Sequence, residues 1–286
     1  MNRLSSEDRK QVINCLIEGC SIRSTVRMTG VAQKTVLRLV GEVGAFYLEY
    51  QDVAFRNLKC RRIQIDECWS FVYAKAKNVT PAIAAKNQAA GDAWLWCAID
   101  ADTKLVPCWA IGPRDAATAH GFVVDLAGRL SHRIQLTSDG LRLYLEAVDY
   151  AFSGMIDYAM LVKIYGSDPE GEKRYSPAKC IGCETHGISG NPDPKHISTS
   201  YIERQNLSVR MSNRRFTRLT NAFSKKIENH MAAVALGYFA YNFIKIRRTL
   251  RVTPAMAAGV TDRLWDVQDL VAAWEASERR AERQAA

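Results

Sequence analysis

Between residues 61 and 165, three strand-like segments are followed by alternating helical and strand-like segments. Apolar, aromatic and β-branched residues favour strands over residues 61–73, 92–100 and 105–111, with a turn at 102–104. A helix, a strand, a helix and a strand are then predicted over residues 115–130, 133–137, 141–152 and 158–165. An antiparallel meander followed by alternating elements predicts a mixed sheet with helices on both faces.

This element order is typical of the ribonuclease H-like fold. We therefore predict an α/β domain over residues 61–250, built on a five-stranded mixed sheet, within a chain of 286 residues. Residues 74–91 and 166–196 are predicted to be loops, the second of them a long insertion, and residues 197–246 are predicted to be helical. A C-terminal helical tail over residues 251–286, with an amphipathic helix at 261–283, is expected to follow.

Residues 1–48 are predicted to form an all-α helix-turn-helix domain, joined to the rest by a linker at 49–60. A capping signature begins at Ser5, and Gly30 separates two short helices, the second predicted at 33–43. A plain three-helix bundle would give the same pattern. In a DNA-binding domain this second helix would present polar side chains to phosphates or base edges, namely Gln33, Lys34, Thr35 and Arg38.

The positive charge of the chain is concentrated between residues 195 and 251. This block holds twelve basic and two acidic residues, a net charge of +10, whereas the whole chain carries +9. Such a block is typical of a protein that binds a polyanion, most simply nucleic acid, with a solvated helical face as the alternative. Candidate DNA-binding side chains in the block are Arg204, Arg210, Arg214, Arg215, Arg218, Lys225 and Lys226. The spacing of Glu203, Arg210 and Arg214 predicts that they share one helical face.

Three acidic residues fall on elements that the predicted fold brings together. Asp66 lies within the first predicted strand, Asp139 just past the fourth, and Glu203 at the start of the basic block. The first and fourth strands are neighbours in this fold, so their acids can meet. Clustered carboxylates need a cation, and oxygen ligands favour Mg²⁺, for which Mn²⁺ can substitute. Two such ions about 4 Å apart can clamp the attacking and leaving oxygens of a phosphoryl displacement.

Each acid also has an explanation without catalysis. Asp66 could form a buried salt bridge while Glu67 is the true ligand, and Asp139 precedes a glycine and could be a turn residue. Glu203 could pair with Arg204 or Lys195. These explanations are weaker taken together, because all three acids fall at matching positions of one fold.

Seven stretches carry a resemblance to a known family. They are residues 65–72, 98–104, 138–140, 191–200, 203–207, 215–226 and 250–256, which span nearly the whole predicted catalytic region. In these stretches the chain resembles bacterial insertion-sequence transposases of the DDE class, specifically the insertion-sequence-one family. The resemblance implies that Asp66, Asp139 and Glu203 form a catalytic, metal-binding triad.

A second candidate metal site consists of Cys180, Cys183, His186 and His196. Two thiolates and two imidazoles can bind zinc. A single Cys-x-x-Cys pair with loosely spaced histidines is a weak motif, however, so zinc is only a secondary expectation. We expect no standard export leader, and the eight cysteines are therefore expected to be reduced thiols.

From these features we expect a DNA transposase whose partner is double-stranded DNA. It would bind the terminal inverted repeats of an insertion sequence, cleave a strand at each end and transfer the freed 3′-hydroxyl to target DNA. Two ends must be handled together, which predicts a homodimer or higher oligomer on DNA. No apolar run approaches the roughly 20 residues of a membrane span, so we expect a cytoplasmic, nucleoid-associated protein without a membrane partner.

Two other functions remain open from the sequence. One is a non-catalytic helix-turn-helix regulator derived from a transposase, and the other is a ribonuclease H-like nuclease that acts on RNA.

Overall fold

The computed structural model describes residues 4–166, 180–217 and 221–285, which surround one six-stranded mixed sheet. Its strands are β1 (Arg62–Val72), β2 (Gly91–Asp100), β3 (Trp109–Gly112), β4 (Gln135–Ser138), β5 (Asp157–Tyr165) and β6 (Cys180–Ser189). Their order across the sheet is β3-β2-β1-β4-β5-β6. β1, β2 and β3 form an antiparallel meander, whereas β4 and β5 run parallel to β1. The predicted meander and the predicted contact between the first and fourth strands are confirmed, and the arrangement is consistent with a ribonuclease H-like sheet.

The sixth strand corrects the predicted five-stranded sheet. β6 lies inside the segment predicted as a loop at 166–196, and it pairs antiparallel with β5. Its side chains are mostly exposed on both faces of the strand, so it carries no alternation of buried and exposed residues that a sequence pattern could reveal. Residues 167–179 of the predicted insertion lie outside the described residues.

Ten α-helices are described. They are α1 (Ser6–Ile17), α2 (Ile22–Thr29), α3 (Gln33–Ala54), α4 (Pro81–Lys86), α5 (Ala116–Ala127), α6 (Leu143–Phe152), α7 (Ser200–Ser212), α8 (Ile227–Phe239), α9 (Pro254–Ala257) and α10 (Val267–Ala285). A π-helical segment, Ala240–Ile244, continues α8. The predicted loop at 74–91 therefore contains a helix, and the predicted helical region at 197–246 is interrupted between α7 and α8.

The first three helices begin and end at residues whose chemistry favours helix termini. The side chain of Ser5 accepts a hydrogen bond from the backbone of α1, and Ser21 does the same for α2. Gly30 ends α2 in the left-handed conformation, with φ of 71°. The helix after this turn is longer than predicted, because α3 runs on through the first half of the segment predicted as a linker.

The N-terminal helices pack against the C-terminal half of the chain. A Cβ atom at Gly44 would lie 2.6 Å from the Cα of Ala232, so the backbones of α3 and α8 are in direct contact. Val36 and Phe239 belong to the same hydrophobic cluster as the buried residues of the sheet. No helix among the described residues is both long and apolar enough to cross a membrane.

A buried histidine connects α8 to β1 through a chain of hydrogen bonds. Ser70 donates to the carbonyl of Ala93, so its hydroxyl is placed to accept from Nε2 of His230 at 3.0 Å. On the other side of the ring, Nδ1 lies 3.2 Å from the hydroxyl of Ser224, which accepts a hydrogen bond from Nε of Arg215. This order of donors fits the neutral imidazole. Burial, together with the positive charge of Arg215, lowers the pKa of His230 to about 3.

This low pKa predicts that His230 makes stability depend on pH. In the unfolded chain a histidine titrates near 6.5, so below that pH the unfolded state binds a proton that the folded state does not. The contribution of His230 to the free energy of unfolding is therefore complete above about pH 7. We expect it to fall by up to about 1.4 kcal/mol per pH unit between pH 6.5 and 3.

Urea unfolding of the wild type and of His230→Gln at pH 7, 6 and 5 measures this contribution. The variant is expected to show a shallower loss of the free energy of unfolding than the wild type, whereas His132→Gln, an exposed control, is expected to follow the wild type. Equal slopes for the wild type and His230→Gln would contradict the assignment.

Candidate metal centre

Two carboxylates meet because of the register between β1 and β4. Gln64 of β1 lies opposite Thr137 of β4 in the parallel pairing. Continuing that register brings Asp66 level with Asp139, which directly follows β4. One oxygen from each of Asp66, Glu67 and Asp139 lies within 4.8 Å of the other two. The structure therefore brings together two of the three predicted triad residues and adds Glu67.

Asp66 is the most perturbed acid of this group. Its Oδ1 accepts a hydrogen bond from the backbone of Glu67 at 2.8 Å, and its Oδ2 accepts one from the amide of Asn206 at 2.8 Å. Despite these donors, burial and then the negative charge of Asp139 raise the pKa of Asp66 to about 7. The three acids together thus carry negative charge that the neighbouring side chains do not fully neutralise.

Glu67 differs from Asp66 in having its own cation. Tyr144 donates a hydrogen bond to Oε1, and Arg114 contacts Oε2 at 3.2 Å. Burial still raises the pKa of Glu67. Asp66 also has two donors, but neither is charged, whereas Arg114 neutralises Glu67. Asp66 therefore keeps more unpaired negative charge for a metal ion than Glu67 does.

Asp139 is both a turn residue and a member of the cluster. Its Oδ1 accepts a hydrogen bond from the backbone of Leu141 at 3.0 Å, which is the turn that an Asp-Gly pair predicts. No hydrogen bond from a described residue occupies its Oδ2. The turn therefore fixes the carboxylate and leaves one oxygen for a ligand.

Helix α7 is fixed to β1 by two polar contacts on one face of the strand. The side-chain oxygen of Gln64 accepts hydrogen bonds from the backbones of Tyr201 and Ile202, at 2.9 and 3.1 Å, at the start of α7. One turn further, Asn206 bonds Asp66. The side-chain oxygen of Asn206, Oδ1, is buried and has no hydrogen-bond partner among the described residues. This docking places Glu203, in the first turn of α7, at the same cleft.

Glu203 lines the cleft with Asp66 and Asp139 but lies outside the close cluster. Its Oε1 accepts a hydrogen bond from Thr199 and pairs with Lys163, each at 2.5 Å. The expected alternative partners, Arg204 and Lys195, are not the ones used. The charge of Glu203 nevertheless contributes to the raised pKa of Asp66.

Three cations that sequence analysis did not select line the same cleft. They are Arg114, Arg142 and Lys163. Arg142 is exposed and pairs with no acid among the described residues. The only sequence feature that could have indicated a role for Arg142 is its position three residues after Asp139. Asn206 could have been selected by a similar argument, since it follows Glu203 by one helical turn.

The proposed DNA-reading residues lie at the start of α3. Three of them, Gln33, Lys34 and Arg38, are exposed, and Thr35 is half-buried. Arg38 lies 3.6 Å from Glu42 one turn later. The first turn of α3 is thus available to a partner.

The basic residues after Glu203 do not form the single helical face that their spacing predicts. α7 ends at Ser212, where the side chain of Asn213 accepts a hydrogen bond from the backbone of Arg215. Arg214 therefore lies beyond the helix, which corrects the predicted face, while Arg210 remains on it. The other candidates in the block differ in their exposure. Arg204, Arg214, Lys225 and Lys226 are exposed, Arg210 and Arg215 are half-buried, and Arg218 lies outside the described residues.

The candidate zinc ligands are not brought together. Cys180 and Cys183 lie at the end of β6 that pairs with the end of β5. His196 contacts Arg62 at the start of β1, which lies at the opposite end of the strands from Cys180 and Cys183. His186 lies 3.7 Å from Glu184. Among the described residues, these four side chains form no metal-binding group.

The acidic cluster fits a hard divalent cation. Its possible ligands are all carboxylate oxygens, and it holds more negative charge than its neighbours neutralise. Burial, and then the negative charge of Asp139, raise the pKa of Asp66. Mg²⁺ or Mn²⁺ would be held by Asp66 and Asp139.

Comparisons with known proteins give only remote similarity. No family model and no curated protein matches the sequence. Among solved structures, a chain of the simian T-cell lymphotropic virus intasome in complex with PP2A regulatory subunit B56 gamma aligns at 12% identity, covering 86% of this chain and 73% of that chain, with a TM-score of 0.40.

Two further structures align at lower TM-scores. A chain of the pre-cleavage Mos1 transpososome aligns at 14% identity, covering 55% of this chain and 60% of that chain, with a TM-score of 0.25. Kluyveromyces polysporus Argonaute with a guide RNA aligns at 8% identity, covering 96% of this chain and 41% of that chain, with a TM-score of 0.25. Similarity this remote does not assign an activity, so the site geometry carries the functional argument.

The pKa of Asp66 predicts how metal affinity depends on pH. Below about pH 7 a divalent cation must displace a proton from Asp66. We therefore expect the affinity for Mn²⁺ to fall by about tenfold per pH unit between pH 7 and 5, and to change little above pH 8. Isothermal titration calorimetry of the whole protein at these pH values measures the effect.

Matched variants test whether the acidic cluster is the site measured. Asp139→Asn is expected to weaken Mn²⁺ binding by at least about a hundredfold, because even residues that only orient metal ligands contribute about 10–100-fold. Asp149→Asn, an exposed change on α6, is expected to bind as the wild type does. Unchanged affinity in Asp139→Asn would show that the metal lies elsewhere.

Proposed function

We propose that this protein is a DNA transposase of the DDE class, similar to the insertion-sequence-one family. The observation that carries the proposal is the meeting of Asp66 and Asp139 on adjacent parallel strands, in a cleft that also contains Glu203. Carboxylates in this arrangement are suited to metal-dependent phosphoryl transfer. The resemblance of the sequence assigns the same three residues.

The residues of the cleft have separate roles in this proposal. Asp66 and Asp139 hold Mg²⁺, or Mn²⁺ in its place, which when bound supplies charge stabilisation to the attacking and leaving oxygens of a phosphodiester. Gln64 and Asn206 position α7 and hence Glu203. Glu203 completes the triad as its third carboxylate.

Cations around the acids would hold the DNA. Arg142 and Lys163 line the cleft and meet the phosphates beside the reacting bond. The exposed lysines Lys225 and Lys226, together with Arg210, extend the contact along the strand. Phosphate contacts of this kind fix position without reading sequence.

Sequence reading is assigned to the N-terminal helices. The exposed residues at the start of α3 would contact the terminal inverted repeats in the manner of a helix-turn-helix. The transposase would cut a strand at each end with water, and the freed 3′-hydroxyl would attack target DNA. Handling two ends at once calls for a homodimer or higher oligomer on DNA.

One observation favours a second candidate, a DNA-binding regulator without catalysis. Glu203 is paired with Lys163 and lies outside the close cluster of acids. In a regulator the acids would have no effect on DNA processing. The same variants distinguish the two functions.

Loss of one cluster carboxylate is expected to abolish cleavage but not DNA binding. A supercoiled plasmid that carries the gene with its flanking DNA is the substrate, and nicking is followed with Mg²⁺ present. Asp139→Asn is expected to lower the nicking rate by at least about a hundredfold, because it removes several kcal/mol of charge stabilisation. Binding to the same DNA, measured by mobility shift, is expected to stay within about twofold.

Controls separate the alternatives. Asp149→Asn is expected to nick as the wild type does, and an RNA–DNA hybrid is expected to remain intact. A wild-type protein that binds DNA without nicking would favour the regulator. Preferential cleavage of the hybrid would favour a nuclease that acts on RNA.

A further inference from the structure

A second cavity, of about 280 Å³, lies between α1, α7, α8 and the residues that follow the π-helical segment. It shares no lining residue with the acidic cleft, because it faces the opposite side of α7 from Glu203. One wall is apolar and includes Leu16, Val40 and Val234. The remaining lining is rich in cations.

Five cationic side chains line this cavity and no acidic side chain of the described residues does. They are Arg204, Arg214, Arg215, Lys245 and Arg247. The charge of Lys245 is neutralised by Glu18, which does not line the cavity and lies 3.3 Å from Lys245. Lys245 also donates a hydrogen bond to the carbonyl of Ile17. The four arginines have no ion pair with any described acid. Arg204 and Arg214 are exposed, but Arg215 and Arg247 are partly buried, where positive charge without a counter-ion is unfavourable.

Arg247 shows most clearly that this cavity lacks a counter-ion and a hydrogen-bond acceptor. Its guanidinium stacks on the ring of Tyr241, 3.8 Å from the ring centre. Its Nε is buried and has no hydrogen-bond acceptor among the described residues. Burial lowers the pKa of Arg247, and the nearby positive charge of Arg204 lowers it further. An unmade hydrogen bond of a buried charged group is costly, so the site lacks an acceptor.

Arg215, which is half-buried, adds a second cation with limited access to water. Its Nε donates to the hydroxyl of Ser224 at 2.9 Å, which fixes the side chain but supplies no negative charge. Burial lowers the pKa of Arg215 to about 10. An anion in the cavity would offset the cost of burying both guanidinium groups.

We propose that this cavity binds the phosphate group of a nucleotide or of a DNA strand, with Arg204 and Arg247 as its ligands. A phosphate offers several acceptor oxygens and up to two negative charges, which suits more than one guanidinium. The volume beyond the phosphate faces the apolar wall, which suits the sugar or base of a phosphate ester. The site depends on its own charges and does not require the acidic cleft to be catalytic.

Calorimetry with the full chain at constant ionic strength tests the site. The probes are inorganic phosphate, deoxyadenosine monophosphate and a short single-stranded DNA with a 5′-phosphate. The ester probes are expected to bind more tightly than inorganic phosphate. Arg247→Gln is expected to weaken ester binding by about ten- to a hundredfold, since it removes a charge-assisted hydrogen bond.

Matched variants make the result specific to the cavity. Arg248→Gln removes the same charge from the exposed neighbouring residue and is expected to leave binding within about twofold. Arg204→Gln changes an exposed side chain and keeps the test available if Arg247→Gln does not fold. Arg247→Lys, which keeps the charge but loses the planar fork, is expected to restore binding only in part.

Tighter binding of the DNA strand than of the monophosphate identifies DNA as the source of the phosphate, and the reverse identifies a free nucleotide. Absence of ester binding to the wild type overturns the proposal, as does equal weakening in Arg247→Gln and Arg248→Gln. Failure here leaves the proposed transposase function standing, because that function is tested by metal-dependent nicking in variants of other residues.

Discussion

The fold places the carboxylates of Asp66 and Asp139 close together, where their negative charges repel each other. The parallel register of β1 and β4 brings both residues to the same level of the sheet, and burial raises the pKa of Asp66 to about 7. Coordinated hydrogen bonds from Asn206 and the backbone offset only part of this cost. A bound divalent cation would offset the remainder, so this geometry favours metal binding.

The surrounding elements hold this arrangement in place. Gln64 anchors the start of α7 to β1, so that Glu203 enters the cleft from a helix whose position is set by the strand that carries Asp66. Tyr144 and Arg114 satisfy Glu67, which keeps a further buried carboxylate from adding an unpaired charge. Lys163 pairs with Glu203 at the rim of the same cleft.

The fold is predictable from the sequence where local patterns determine the structure. The element order predicted that the strands of Asp66 and Asp139 would be neighbours, because a meander followed by alternating elements allows few arrangements. Local patterns do not predict β6, because it is an exposed edge strand without an apolar face. They also do not predict that Arg214 lies outside α7, because Asn213 ends the helix within a run of polar residues. The Lys163–Glu203 pair and the cavity around Arg247 depend on contacts between distant segments, which no local spacing reveals.

The central claim is that Asp66 and Asp139 together hold a divalent cation. Anomalous X-ray diffraction from crystals of the protein soaked in Mn²⁺ tests it most directly, because the anomalous signal locates the metal without reference to activity. The account predicts a manganese peak within about 2.0–2.3 Å of an oxygen of Asp66 and an oxygen of Asp139. A fully occupied manganese site held by other residues, with Asp66 and Asp139 making no contact to it, would contradict the account.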